Sequence, residues 1–301
     1  MTIPIILFAY SRPDCLRHTL ECLKSNRVPL IYAYSDGPRR PDDAVGVAHV
    51  RQMLHEINWC EVVLCERGTN LGLGLSVRTG VSEVLNKHEA VIVYEDDLIC
   101  VPGTYAYLCA ALENYADDPR VMSVTGWTHP LITPSDVGEQ PYFDGRAECL
   151  VWGTWARAWQ GMEHDARTMM RLCKTRSIDI YRYGADLVGM AEVELQRNIW
   201  AVRFLYSHIL NRGLCLRPPW SMVEHIGYGM EATNAVAAGK WASLPLKACP
   251  PMPRHWPEPL EHPECALLQQ KACGMRPALP KRLYRQVRRS VSHVVRRVRG
   301  S

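Results

Sequence analysis

The sequence predicts an α/β protein built on a mostly parallel sheet flanked by helices, and three observations lead there. Apolar, strand-forming runs at residues 3–9, 30–34, 60–65, 90–94 and 121–124 alternate with stretches of helical periodicity, such as Val77, Val81, Val84 and Leu85. The runs are continuously apolar, as strands buried on both faces require. Helix-start signals follow two of the strands at once: Pro13 and Asp14 precede "CLRHTLECL", and Pro41, Asp42 and Asp43 open a second helix.

Taken in order, strand one ends in "AYSRP", strand two in "SDGPRR" and strand four in "EDDL". Parallel strands send these three polar ends to one edge of the sheet, where open α/β proteins bind ligands. Past residue 126 the alternation fades into an aromatic region, "VWGTWARAW", and then a helical stretch with Trp200, Phe204 and His208 or Ile209 on one face and Gly213 as its C-cap. Seven prolines between residues 245 and 263 predict an irregular extension. The expected organisation is a main domain over 1–244, a proline-rich extension over 245–280 and a basic tail over 281–301.

At 301 residues and 47% hydrophobic content the chain can bury a full core. No apolar run reaches the length of a membrane span, and the N-terminus lacks a charged n-region and a cleavage site, so a cytoplasmic protein is expected. The twelve cysteines include no C-x-x-C pair, which argues against a zinc site or a disulfide framework. Net charge is +4, but residues 281–299 hold eight Lys and Arg and no acid; subtracting them leaves the rest at −4.

The acid trio Glu95, Asp96 and Asp97 is the strongest chemical signal. Adjacent carboxylates raise one another's pKa unless a cation compensates, and a hard ion such as Mn²⁺ or Mg²⁺ does so through oxygen ligands. The stretch "NLGLGLSVRTG" fits neither a dinucleotide fingerprint, having Val77 at the third position, nor a Walker A loop, having no Gly-Lys-Ser/Thr.

Taken together, "PIILFAYSRP", "SDGP", "NLGLGLSVRTGV", "VIVYEDDL", "VWGTWARAW" and "NIWAVRF…NRGLCLRPPWSMVEHIGYG" resemble, in this order over residues 3–234, the inverting glycosyltransferases of GT-A fold that use a nucleotide-sugar donor. The likeness extends to bacterial sugar transferases and, more distantly, to the Golgi N-acetylglucosaminyltransferase that begins complex N-glycans. The resemblance implies Asp97 as metal ligand, Glu95 and Asp96 as contacts to sugar and ribose hydroxyls, Asp36 at the base, and Arg12, beside Ala9 and Tyr10, near the base or diphosphate. Asn70, Gly72 and Ser76 would border the nucleotide. His225 and Glu231 would lie in a loop over the donor.

One position departs from the pattern. Relatives carry the acidic base two residues before a Trp, where this chain has Asn198, followed by Ile199 and Trp200. Asparagine cannot take a proton at neutral pH, so the base is either Glu194, one helical turn earlier, or one of Glu192, Glu148 and Asp144, and Glu194 is equally readable as a solvent-facing helix residue. Among Trp152, Trp155 and Trp159, at most one is expected to touch sugar, core packing being the commoner use of indoles.

The tail sets Leu283, Tyr284, Val287, Val291, Val294, Val295 and Val298 at helical spacing among arginines, the composition of an interfacial helix for an anionic membrane surface; a disordered, solvated terminus is the alternative. No base-reading module accompanies it, so nucleic acid is not an expected partner. The expected function is therefore metal-dependent sugar transfer from a nucleotide sugar, uridine-linked, to a glycan or glycolipid, on the inner face of the cytoplasmic membrane in bacterial surface polysaccharide or lipopolysaccharide synthesis. Two alternatives stand beside it: a sugar-phosphate nucleotidyltransferase, and an inactive sugar-binding protein recruited by its tail.

Overall fold

The computed structural model describes residues 2–160, 162, 164–227, 239–241 and 244–278. In chain order the elements are β1 (Ile5–Ala9), α1 (Pro13–Ser25), β2 (Leu30–Ser35), α2 (Ala44–His55), β3 (Glu61–Glu66), α3 (Gly72–Leu85), β4 (Ala90–Glu95), β5 (Leu98–Cys100), α4 (Thr104–Asn114), β6 (Val121–Thr125), β7 (Tyr142–Asp144), β8 (Trp152–Trp155), α5 (Ala166–Thr175), α6 (Asp186–Arg197), α7 (Trp200–Asn211), β9 (Leu214–Arg217), β10 (Val223–His225) and α8 (Cys265–Cys273). Glu231 and the basic tail lie outside the described residues.

The described residues form one sheet in the order β3-β2-β1-β4-β8-β6-β9-β7, and a two-stranded ribbon of β5 and β10. β3, β2, β1 and β4 run parallel; β8 is inserted antiparallel between β4 and β6, which restores the direction of β4 in β6 and β9. The carboxyl ends of β2, β1, β4, β6 and β9 therefore share one edge.

Both faces of the central strands are covered, which explains their unbroken apolar sequence. Along β1, Ile5, Leu7 and Ala9 enter the core beneath α1, α2 and α4, while Ile6 and Phe8 enter the core beneath α3 and α5–α7. Val77, Val81 and Val84 on α3 are at most 1% exposed, and each such burial contributes about 1.5–3 kcal/mol. β3 is different: as the edge strand it leaves Val63 exposed, so its apolar run is not buried on both faces.

Two sequence expectations are corrected, and a third, core packing of the indoles, is met. Helix α7 ends at Asn211 with Arg212 in the left-handed region, so Arg212, not Gly213, is the C-cap. The proline-rich extension carries a helix, α8, and packs on the body: Trp256 meets Tyr107 edge-on at 5.5 Å, and the Tyr115 hydroxyl donates to the Pro257 carbonyl at 2.6 Å. Trp152, Trp155 and Trp159 are all core residues, 1–6% exposed, with Trp152 against Trp200 and Phe204 at ring distances of 5.1 and 4.5 Å.

The same core holds a histidine that makes stability depend on pH. His208 is fully buried; the Ser123 hydroxyl donates to its Nε2 at 2.8 Å, and its Nδ1–H donates to the Phe204 carbonyl at 2.9 Å. Burial disfavours the charged ring and lowers its pKa from 6.5 to about 4. Below pH 6.5 the unfolded chain takes up a proton that the folded chain refuses. Stability is thus expected to fall by about 3 kcal/mol as the pH drops to 4, and urea denaturation across that range should show a slope that His208→Gln flattens.

Candidate active site

At the carboxyl edge of β1, β2 and β4 lies a cleft of about 640 Å³. Its floor comes from the strand ends. Parallel pairing sets Ala9 beside Ser35 and Phe8 beside Glu95, which brings Tyr10, Asp36 and the acid trio into one neighbourhood. Ala9, Tyr10, Arg12, Asp36, Asn70, Gly72, Ser76, Glu95, Asp96, Asp97 and His225 all line it.

The acid turn is held from three sides. Thr19 on α1 donates its hydroxyl to the carbonyls of Asp96 (2.9 Å) and Leu98 (3.1 Å), and the backbone N–H of Ile226 donates to the Asp97 carbonyl at 2.9 Å. β10 pairs with β5 in register, placing His225 opposite Leu98, and His225 Nε2 lies 3.1 Å from Asp97 Oδ2. The backbone N–H of Tyr10 donates to Asp96 Oδ2 at 3.0 Å.

Arg12, the residue before the first turn of α1, folds its guanidinium between two of the acids. It is hydrogen-bonded to Asp96 and lies 2.7 Å from Asp97 Oδ2. Burial acts to raise the Asp97 pKa, but His225 and Arg12 together outweigh it and hold the carboxyl below its ordinary value. Asp96 is raised, because burial exceeds the help it receives from Arg12. For Glu95 the help from Arg12 is outweighed: desolvation, then the charges of Asp97 and Asp96, push it up to about 8. At neutral pH its carboxyl carries a proton and can donate a hydrogen bond as well as accept one.

Asp97 Oδ1 is buried and has no hydrogen-bond partner among the described residues. A buried carboxylate oxygen without a donor is costly, and a hard cation satisfies it. Among the described residues no group of three or more His, Cys, Asp and Glu is arranged to hold a metal, so such an ion would take one or two oxygens from the trio and the rest from a diphosphate and water. The donor set fits Mn²⁺ or Mg²⁺ on those terms.

The opposite wall is the start of α3. Asp36 accepts from the backbone N–H groups of Leu71 (3.0 Å), Gly72 (2.9 Å) and Gly37 (3.2 Å), so it acts as the N-terminal cap of α3, with most of its acceptor capacity used within the chain. Asn70 donates to the Gly37 carbonyl at 2.7 Å, and the Ser76 hydroxyl accepts from Arg67. The start of α3 is locked from behind by Asn198. A side chain at Gly74 would come within 2.1 Å of the Asn198 carbonyl oxygen, and Gly72 has φ +72° with Asn198 Nδ2 close by.

The catalytic-base candidates are elsewhere. Glu194 is 3% exposed and pairs with Arg203 at 2.8 Å inside the helical layer. Asn198 adopts the left-handed conformation that ends α6 and holds α3; it does not line the cleft. Asp144 is fully buried against Arg217 (3.0 Å) and Gln269 (2.6 Å), and Glu148 lies 3.6 Å from Arg217. Neither these two nor Glu192 reaches the cleft wall.

Sequence reasoning missed the loop after β2. Arg39 and Arg40 line the cleft, and Tyr10 braces them: its hydroxyl donates to Asp43 at 2.8 Å and accepts from the Arg39 backbone N–H at 2.7 Å. The signal was present in "SDGPRR", two cations next to a strand-end acid. Gly227 was also missed. A Cβ there would lie 2.1 Å from Asp97 Oδ2 and 2.7 Å from Arg12 Nη1. Gly227→Ala is expected to displace that pair and to cost about 1–3 kcal/mol of stability, read as a lowered midpoint in urea denaturation.

No protein-family model matches the sequence, and no curated protein matches it. Solved structures do. The chain is similar to the mannosyltransferase PcManGT from Pyrobaculum calidifontis, solved with GDP-Man and Mn²⁺, at 13% identity and a TM-score of 0.37, over 51% of this chain and 44% of that one. It is similar to TarS from S. aureus at 11% identity and a TM-score of 0.43, over 74% of this chain and 36% of that one. HddC from Yersinia pseudotuberculosis matches at 12% identity and a TM-score of 0.34, over 54% of this chain and 80% of that one. The chain spans less than half the length of the first two.

Proposed function

We propose that the protein is a glycosyltransferase that moves a sugar from a nucleoside diphosphate sugar, uridine-linked, to a glycan or glycolipid hydroxyl with inversion. The observation that carries this reading is the cleft in which the ends of β1, β2 and β4 and the start of α3 surround an acid turn whose Asp97 Oδ1 lacks a partner among the described residues. The order of motifs along the chain supports it independently.

In this reading each residue has a task. Asp97 would hold a divalent cation, and Asp96 would contribute to the same charge. The cation, when bound, neutralises charge developing on the leaving diphosphate. Arg12 favours the ionised form of both acids in a partly dry site. Arg39 and Arg40 provide cations at the cleft mouth for phosphate oxygens. Glu95 meets sugar hydroxyls. The small residues Gly72 and Ser76 let the base and ribose approach the start of α3.

Inversion needs a base on the face of the sugar opposite the leaving group. Glu194, buried beside Arg203 in the helical layer, is not proposed for that role. Among the described residues no helix is long and apolar enough to cross a membrane. Membrane attachment is proposed for the tail on its sequence alone.

The test is incubation of the full chain with Mn²⁺ and a panel of uridine, guanosine and thymidine diphosphate sugars, with release of the nucleoside diphosphate followed by chromatography. Slow, metal-dependent hydrolysis of one donor is the expected result. Pyrophosphate release from a nucleoside triphosphate and a sugar phosphate, with every diphosphate sugar left intact, would overturn it.

A further inference from the structure

Burial of Trp152, Trp155 and Trp159 directs attention to the indoles left in contact with solvent. Trp127, His129 and Trp241 form a half-exposed cluster of three rings. Trp127 stacks on His129 at 6.2 Å with 25° between the planes, Trp241 tilts against Trp127 at 6.1 Å, and Trp241 meets His129 edge-on at 5.3 Å. The rings fix one another's orientation, and part of each remains open.

The cluster stands on the same edge of the sheet as the cleft. Trp127 follows directly on β6 and Gly126, and β6 runs in the direction of β4. The Gly126 carbonyl accepts from the Met222 N–H at 2.9 Å, and from Met222 an extended chain leads through β10 to His225, which touches Asp97. Three extended residues span roughly 10 Å, so the backbone at Gly126 stands about that far along the sheet edge from His225.

Polar equipment is also present. The backbone N–H of Leu131 donates to His129 Nδ1 at 3.2 Å, so the neutral imidazole carries its proton on Nε2 and can donate to a hydroxyl. The backbone N–H of Trp127 donates to the Thr125 hydroxyl at 3.1 Å, which anchors the ring carrier to the end of β6. Flat apolar faces beside a fixed donor are what the apolar side of a pyranose, with its equatorial hydroxyls, requires.

We infer that Trp127, His129 and Trp241 form a carbohydrate-binding platform that seats the acceptor glycan on the same edge of the sheet as the cleft. This rests on the proposed transferase function, and its test separates the two.

Saturation-transfer NMR on the full chain uses the methyl glycosides of glucose, galactose, mannose and N-acetylglucosamine as probes. At least one is expected to show saturation of the hydrogens on a single ring face. Trp127→Ala and Trp241→Ala should each weaken that glycoside about tenfold, while Trp127→Phe, which keeps an aromatic face, retains most of the binding. Circular dichroism identifies any variant that fails to fold, and the two independent alanine variants guard against reliance on one.

Equal binding by wild type and both alanine variants overturns the platform, as does failure of all four glycosides to bind the wild type. Uridine diphosphate is titrated in parallel. If it binds and the glycosides ignore Trp127, the donor reading stands and the platform falls. If it does not bind while glycosides still need Trp127, the platform stands and the donor reading falls.

Discussion

Asp97→Ala is expected to lower metal-dependent turnover by about 100-fold or more, with the fold intact. The argument is local. Asp97 contributes the buried Oδ1 that lacks a partner among the described residues, and its Oδ2 anchors both Arg12 and His225. Removing it deletes the oxygen that suits a cation and releases Arg12 to pair with Asp96 alone. Loss of one charge-stabilising group aimed at a leaving group commonly costs 100- to 1,000-fold. Initial rates of nucleoside diphosphate release, measured over a Mn²⁺ titration, check the prediction. A variant that retained wild-type metal dependence would remove Asp97 from the site.

Glu194→Ala is expected to act on the other axis. Glu194 and Arg203 are buried together, 4% and 7% exposed at their side chains, and deleting Glu194 breaks this buried ion pair. Such a break costs about 3–5 kcal/mol of stability. Turnover per folded molecule is expected to stay within about twofold of wild type, whereas loss of a general base costs roughly 100- to 10,000-fold. Denaturant midpoints and active-site titration at a temperature where the variant remains folded separate the two. A stable but inactive variant would return Glu194 to the catalytic list.

These two residues also show where sequence reading works. Asp97 was legible because a buried parallel strand is a continuous apolar run, and the residue that ends such a run stands at the ligand-binding edge. Arg12 and Asp36 were legible for the same reason, each following the end of β1 or β2. Glu194 was not. Helical spacing says that residues 194 and 198 share a face, but not whether that face meets a cleft or a second helix, and Arg203, its partner, is nine residues further on in the next helix.

The second half of the sheet was hidden for a different reason. β7 and β8 have three and four residues, too short for a periodic signal, and β8 is held by pairing with both β4 and β6, contacts remote in sequence. "VWGTWARAW" therefore read as an aromatic cluster of unknown facing, and burial alone resolved it. Asp36 was placed correctly but assigned incompletely: its role as the cap of α3 depends on the loop over residues 67–71 returning to β2, which no local pattern announces.

The approach of α3 to the α6–α7 junction has a consequence for comparing sequences. Gly74 and Asn198 touch through backbone atoms, with 2.1 Å separating a would-be Cβ from a carbonyl oxygen, although 124 positions divide them in the chain. A change at one cannot be absorbed by a side chain and must be answered at the other. Across homologues, then, the two positions should change as a pair: wherever the second glycine of "GLG" is replaced, the left-handed asparagine before "IW" should be replaced too, together with the angle at which one helix leaves the other.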